Sequence, residues 1–141
     1  VRSFSTAIFF LVPRGSVSRL HRIRSAEVWH FYLGEPLTVY ELDPTTGVEK
    51  RTLLGSDVLT GQALQHVVPA GAWFGSHLAA DAGAAAGPAA VPPQGDSRDY
   101  ALVGCTVAPG FDFADFEMAK RADMLEAFPH AAADIARLTD P

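Results

Sequence analysis

Turns come too often in this chain for helices to fit between its β-forming segments. Segments rich in β-branched and aromatic residues occupy 4–12, 19–23, 27–33, 37–42, 48–54, 64–68, 72–76 and 100–107. Between them stand Pro13-Arg14-Gly15, Ser25-Ala26, Gly34-Glu35-Pro36, Asp43-Pro44-Thr45-Thr46-Gly47 and Pro69-Ala70-Gly71. Proline fixes φ and glycine allows positive φ, so such clusters mark reversals. About eight short strands without crossover helices predict an antiparallel sandwich or barrel, not a parallel βαβ sheet. The 141 residues fit a single domain over 1–141, long enough to bury its own core.

Two stretches depart from this rhythm. Residues 78–95, LAADAGAAAGPAAVPPQG, are almost wholly Ala, Gly and Pro. Alanine favours helix, but the glycines and prolines interrupt every run before nucleation is repaid, which predicts a flexible surface insertion in one hairpin. Residues 113–138 predict a helical tail, with Met118, Ala122, Leu125 and Phe128 three to four apart; Pro129 stops or bends that helix, and Ala131 to Leu138 read as another short one. Its apolar side is expected on the outside of the barrel or at a dimer seam. Phe111, Phe113 and Phe116 read either as core or as the frame of a ligand pocket, core packing being the commoner fate of phenylalanine.

The formal net charge of -5 argues against general binding to nucleic acid or to an anionic membrane. The basic cluster Arg14, Arg19, Arg22 and Arg24 reads as a solvated outer strand face. No apolar run approaches the ~20 residues that span a bilayer, and Phe9-Phe10-Leu11-Val12 is too short for a signal core. The single cysteine, Cys105, excludes an internal disulfide and a cysteine-based zinc site. Its apolar run YALVGCTV predicts a buried structural thiol, and the cytosol is the simplest compartment. The chain starts at Val1 directly in strand-like sequence, which suggests a segment upstream.

The stretch from Gly15 to Gly34 sets His21 and Glu27 at fixed distances between two glycines. Alternation puts His21 and Ile23 on one face of a strand, and Glu27, Trp29 and Phe31 on one face of the next. His30 is out of phase with Glu27 and points the other way unless a bulge intervenes. His66 precedes the Pro69-Ala70-Gly71 turn with its face undetermined. His77 borders the 78–95 insertion and is expected to be exposed.

Gly15, His21, Glu27 and Gly34 stand at every interval of the first cupin motif, G-x5-H-x-H-x3-4-E-x6-G, with Ile23 in place of the second histidine. Pro69 and Gly71 match the second motif, G-x5-P-x-G-x2-H-x3-N. There Phe74 replaces the histidine, and Gly61 lies two residues too far back. The segments RSFSTAIFFL, LHRIRSAEVWHFYLGEPL, QHVVPAGAWFGS and YALVGCTVAPGFDFADFE resemble the cupin five family over most of the chain. That family usually begins with a segment like P-H-P-E-G-G-Y-F, which this chain lacks. The resemblance implies an all-β fold, a single antiparallel double-stranded β-helix or jelly-roll (cupin) barrel with a short C-terminal helical tail. It also implies a homodimer.

In cupins the complete motifs hold a divalent metal. With Ile23 and Phe74 apolar, that four-ligand site is broken, and His21 and Glu27 are too few to hold a transition metal tightly. Three readings follow. A divalent metal could sit in an altered set of His21, Glu27 and His66. Metal-free cupin epimerases and isomerases imply instead that His21 and Glu27 act as an acid–base pair on a sugar or sugar nucleotide. His66 and the flat apolar surfaces of Trp29, Phe31, Trp73 and Phe74 would then contact that ligand. The third reading is a non-catalytic small-molecule-binding barrel, favoured by the loss of two ligand positions. Against the metal site stands a purely structural alternative, a buried His21–Glu27 hydrogen-bonded pair under an aromatic lid. Carbohydrate-linked isomerisation is the most concrete chemistry among them.

Overall fold

The structure, a computed structural model, describes residues 1–82 and 99–141. The chain runs through β1 (Thr6–Pro13), β2 (Val17–Arg22), β3 (Ala26–Gly34), β4 (Leu37–Leu42), β5 (Glu49–Leu54), β6 (Gln65–Val68) and β7 (Trp73–Leu78). It continues with β8 (Tyr100–Ala108), β9 (Glu117–Met118), α1 (Arg121–Ala127) and α2 (Ala132–Leu138). One sheet has the order β1-β8-β3-β6 and the other β5-β4-β7-β2-β9, and neighbouring strands pair antiparallel. Two facing antiparallel sheets of this order make a jelly-roll barrel. Gly15 and Gly34, which bracket the His21–Glu27 stretch, both take positive φ (74° and 102°). A side chain at Gly34 would also meet the Tyr100 carbonyl oxygen at 2.1 Å, so only glycine turns the chain there.

Alternation along the strands builds two cores. Leu37 and Val39 of β4, with Phe74 and Leu78 of β7, point between the sheets, where they meet Trp29, Phe31 and Val103. Tyr40, Leu42 and Trp73 point out of the barrel and meet Met124, Ile135 and Leu138 of the helices. The five-stranded sheet is therefore covered on both sides, which is why all of β7 is buried. Helices of seven residues are marginal alone. α1 and α2 persist because each fully buried aliphatic side chain contributes roughly 1.5–3 kcal/mol.

The 113–138 tail is helical from Arg121 onward, as α1 and α2 on either side of Pro129, but not before Arg121. Phe113–Asp115 is a single 3-10 turn, capped by the Asp112 side chain, which accepts from the Ala114 amide at 2.9 Å. β9 then pairs with β2, His21 opposite Met118 and Arg22 opposite Glu117. This occupies backbone groups that the edge of β2 would otherwise leave exposed. The buried stripe is Met124, Ile135 and Leu138, while Met118 is 43% exposed. Of the 78–95 insertion, Leu78 ends β7 and Ala79–Asp81 makes a 3-10 turn followed by Ala82; residues 83–95 lie outside the described residues. His77 is buried and not exposed, its Nδ1 donating to the Leu78 carbonyl at 2.8 Å. The arginine cluster is paired: Arg14 with Asp81 and Asp99, Arg19 with Asp140, Arg22 with Glu117, and Arg24 with Asp115. Among the described residues no helix is long and apolar enough to cross a membrane.

Candidate functional site

Cross-strand register defines a layer through the barrel interior. In the five-stranded sheet Glu41, Phe74 and His21 stand side by side on β4, β7 and β2. In the facing sheet His66, Trp29, Cys105 and Ile8 stand side by side on β6, β3, β8 and β1. Directly opposed residues share a face, so the two rows look at each other across the core. Glu41 meets His66 at 2.5 Å. Phe74 meets Trp29 edge-on, with ring centroids 6.3 Å apart. Beyond them His21 faces the side of the barrel that carries Cys105 and Glu27. The Phe74–Trp29 pair thus separates two polar centres.

The His21 side opens into a cavity of about 800 Å³, within the range of small-molecule sites. Its polar wall groups include Arg19, His21, Glu27 and Cys105, and its apolar ones include Trp29 and Phe10. Phe111, Phe113 and Phe116 line it too, with centroids 5.0–6.3 Å apart and rings steeply inclined to one another. Core packing, the commoner fate of such residues, is therefore not the whole account of these phenylalanines: they frame the pocket.

His21 lies between the rings of Phe74 (centroids 4.2 Å apart) and Phe116 (5.1 Å). Its Nδ1 donates to the Arg19 carbonyl at 2.6 Å, next to a register shift in β2 between Ser18 and His21. A carbonyl only accepts, so Nδ1 carries the proton and Nε2 is left as an acceptor. Burial lowers the imidazole pKa from 6.5, against the opposing effect of the Arg19 carbonyl. Glu27 is 8% exposed, and burial raises its carboxyl from 4.5 to about 7, with the neighbouring Cys105 thiol opposing that rise. Burial, and then the nearby Glu27 carboxylate, push the Cys105 thiol well above its usual range. The thiol stays protonated and is a poor nucleophile.

Several residues lie elsewhere than the sequence reading places them. Phe31 packs in the interior core and does not line the cavity. Trp73 faces the helices, with the Arg22 guanidinium 4.5 Å over its ring. Neighbours on a strand point to opposite faces, so with Phe74 inward Trp73 must point outward. Phe74 is the packed backing behind His21. His30 faces the outer side and meets the Thr106 hydroxyl at 3.1 Å. His21 and Glu27 share the cavity wall, but their hydrogen-bonding neighbours are Arg19 and Cys105 and not each other.

The altered metal set does not assemble. His66 is held by Glu41 on the far side of the Phe74–Trp29 pair. Ile23 and Phe74 lie in the apolar core. Among the described residues no three His, Cys, Asp or Glu side chains converge as metal ligands would. The donors present do not fit a divalent ion held by the protein alone. The Glu41–His66 pair is the polar feature that the sequence reading misses, although its signal was present. Glu41 falls in phase with Leu37 and Val39 in the apolar run LTVYEL, where an inward carboxylate needs a partner.

Two facing antiparallel sheets with a ligand-sized cavity, entered by the side chains of a G-x5-H and an E-x6-G element, define a cupin barrel. Residues 1–119 match the family described as Cupin superfamily (DUF985), and the chain belongs to it. A hypothetical protein from Leishmania major has a similar structure: 36% identity, TM-score 0.83, over 99% of this chain and 78% of that one. A protein from Shewanella oneidensis is 33% identical with a TM-score of 0.82, over 99% of this chain and 77% of its own. A dTDP sugar isomerase from Desulfovibrio desulfuricans shares the fold at 19% identity and a TM-score of 0.63, over 96% and 77% of the two chains. The sequence has no match among curated proteins.

Proposed function

We propose that this cupin binds a small molecule, a sugar or sugar nucleotide, in the cavity beside His21 and Glu27 and isomerises or epimerises it. One observation carries the reading. A half-buried imidazole with an unprotonated Nε2 and a buried carboxyl that keeps its proton up to about pH 7 stand in the wall of the same cavity. Their environments move an acid up and a base down, which suits proton transfer near neutral pH. His21 Nε2 removes the proton next to the substrate carbonyl while Glu27 gives its proton to the carbonyl oxygen, forming an enol. For epimerisation Glu27 takes back the proton it gave, and His21 returns its proton to the same carbon after the enol has turned its other face to it. For isomerisation Glu27 takes the proton of the hydroxyl on the deprotonated carbon, which becomes the new carbonyl, as His21 protonates the former carbonyl carbon. The sum is an isomer of the starting sugar, with both residues restored. The sugar isomerase of the same fold supports this chemistry by analogy.

The test is exchange of solvent deuterium into dTDP-sugars followed by NMR. The wild-type protein is expected to label the carbon next to the carbonyl, and His21→Ala and Glu27→Gln to lose that labelling by about 100-fold or more. The apolar wall of Phe10, Phe111, Phe113 and Phe116 favours a second reading, a barrel that binds without turnover. Ligand-induced thermal stabilisation without deuterium incorporation would establish that alternative and remove the first.

The proposal includes a homodimer. Phe9, Leu11 and Tyr32 are 78, 55 and 50% exposed, and the Phe9 and Tyr32 rings touch edge-on at 5.6 Å on the outer side of the four-stranded sheet. Contiguous apolar surface of this kind suits association. Sedimentation as a monomer at micromolar concentration would overturn it. The single buried Cys105 is consistent with a reducing, cytosolic setting.

A further inference from the structure

The cavity wall has one feature that acid–base chemistry leaves unused. Among its described residues Arg19 is the one arginine or lysine. It lies on β2 two residues before His21, and its side chain is 44% exposed. It grips the Asp140 carboxylate with both prongs of the guanidinium, Nε to Oδ2 at 2.8 Å and Nη2 to Oδ1 at 2.6 Å. Asp140 itself is 67% exposed. Exposed ion pairs contribute little to stability, so this carboxylate is cheaply exchanged. The fork-to-fork geometry, however, is the one by which arginine recognises carboxylates and phosphates. Asp140 therefore displays the kind of group that the guanidinium is set to receive. The nearby Arg22 is differently placed, over Trp73 on the helix side and paired with Glu117. The rest of the wall is dominated by aromatic and aliphatic side chains, Phe10, Phe111, Phe113, Phe116, Ile8 and Met118 among them.

We propose that the cavity takes a flat apolar ring carrying an anionic oxygen group, carboxylate or phosphate. Arg19 selects it by exchanging the Asp140 carboxylate for that of the ligand. The inference rests on the cavity being a ligand site, and a nucleotide, with a ring and a phosphate, belongs to the class. It does not depend on turnover. The phenylalanines supply sequence-tolerant contact to the ring, and Arg19 supplies a charge-assisted fork to the anion. Asp140 then acts as a built-in competitor that lowers affinity for every anionic ligand and for no neutral one.

Calorimetric titration with 1-naphthyl phosphate, 1-naphthoate and the neutral 1-naphthalenemethanol tests this on the full chain. The wild-type protein is expected to prefer at least one of the anions over the neutral probe by about tenfold, and less so as salt is added. The stronger of the two anions identifies phosphate or carboxylate as the natural group. Arg19→Gln should erase the preference while leaving the neutral probe within about twofold, and Arg19→Lys should keep part of it because charge survives without the fork. Asp140→Asn should tighten binding of the preferred anion several-fold and leave the neutral probe unchanged. Binding of all three probes without charge preference, or a preference that survives Arg19→Gln, overturns the role of Arg19 and leaves the cavity as a ligand site. An Asp140→Asn variant with unchanged anion affinity overturns the exchange. Failure of all three probes to bind overturns the cavity as a ligand site and this inference with it.

Discussion

Glu27 carries a pKa of about 7 because its carboxyl lies in the barrel wall with little water around it. Folding therefore holds a proton on Glu27 that the unfolded chain, at 4.5, releases earlier. The stability this contributes is fully present below pH 4.5 and is lost as pH rises through about 7. The displacement corresponds to roughly 3 kcal/mol between the two ends of that window. His21 has the opposite sign. Its folded value lies below 6.5, so its contribution is present above 6.5 and falls away on acidification. A single melting curve mixes the two slopes. Glu27→Gln separates them, because glutamine mimics the protonated acid at every pH and leaves His21 in place. We expect this variant to match the wild-type protein near pH 4 and to exceed it by roughly 2–3 kcal/mol above pH 8. Equal stability of the two proteins at pH 8 in thermal denaturation would show that Glu27 ionises without cost and is not the buried acid of the cavity.

At the level of elements, strands were legible and their remote partners were not. LTVYEL forms β4 at its predicted bounds, and AEVWHFYLG forms β3 within a residue at each end, because alternation and turn residues are local signals. β9 is two residues long. Its existence depends on the edge of β2, nearly a hundred positions earlier, which no window of sequence contains. Helical spacing through Met118 therefore read as helix where the chain makes a turn and a strand, whereas the break at Pro129 and the second short helix after it were legible. The site divides in the same way. His21 and Glu27 reach a common cavity because their spacing between two glycines places them on facing strands. Phe31 and Trp73 were expected at the same wall on aromatic character alone, and character does not set direction. Trp73 could have been assigned from Phe74 beside it, since adjacent strand residues cannot both face inward. The closing of the cavity by Phe111, Phe113 and Phe116 follows from tertiary position, which composition leaves open between core and pocket.

For the whole molecule, the question is what joins the two sheets on the side away from the cavity. β5 and β6 are edge strands there, and the isolated Leu54–Ala63 bridge lies between the elements they belong to. Inside, the Glu41–His66 contact spans the sheets directly, with side chains 6% and 12% exposed. A buried carboxylate is tolerated only while it is paired, so removing its partner costs more than the pair is worth. His66→Phe keeps ring size but strands Glu41, and should destabilise by about 3–5 kcal/mol. Glu41→Leu combined with His66→Phe removes both polar groups, and should recover most of that loss. The coupling is read from urea denaturation of the two single variants and the double variant. Additive losses would mean that the contact does not hold the sheets together. Because Phe74 and Trp29 stand between this pair and His21, the double variant should also bind 1-naphthalenemethanol as tightly as the wild-type protein. A several-fold change there would mean that the Phe74–Trp29 pair transmits strain between the two polar centres and does not insulate them.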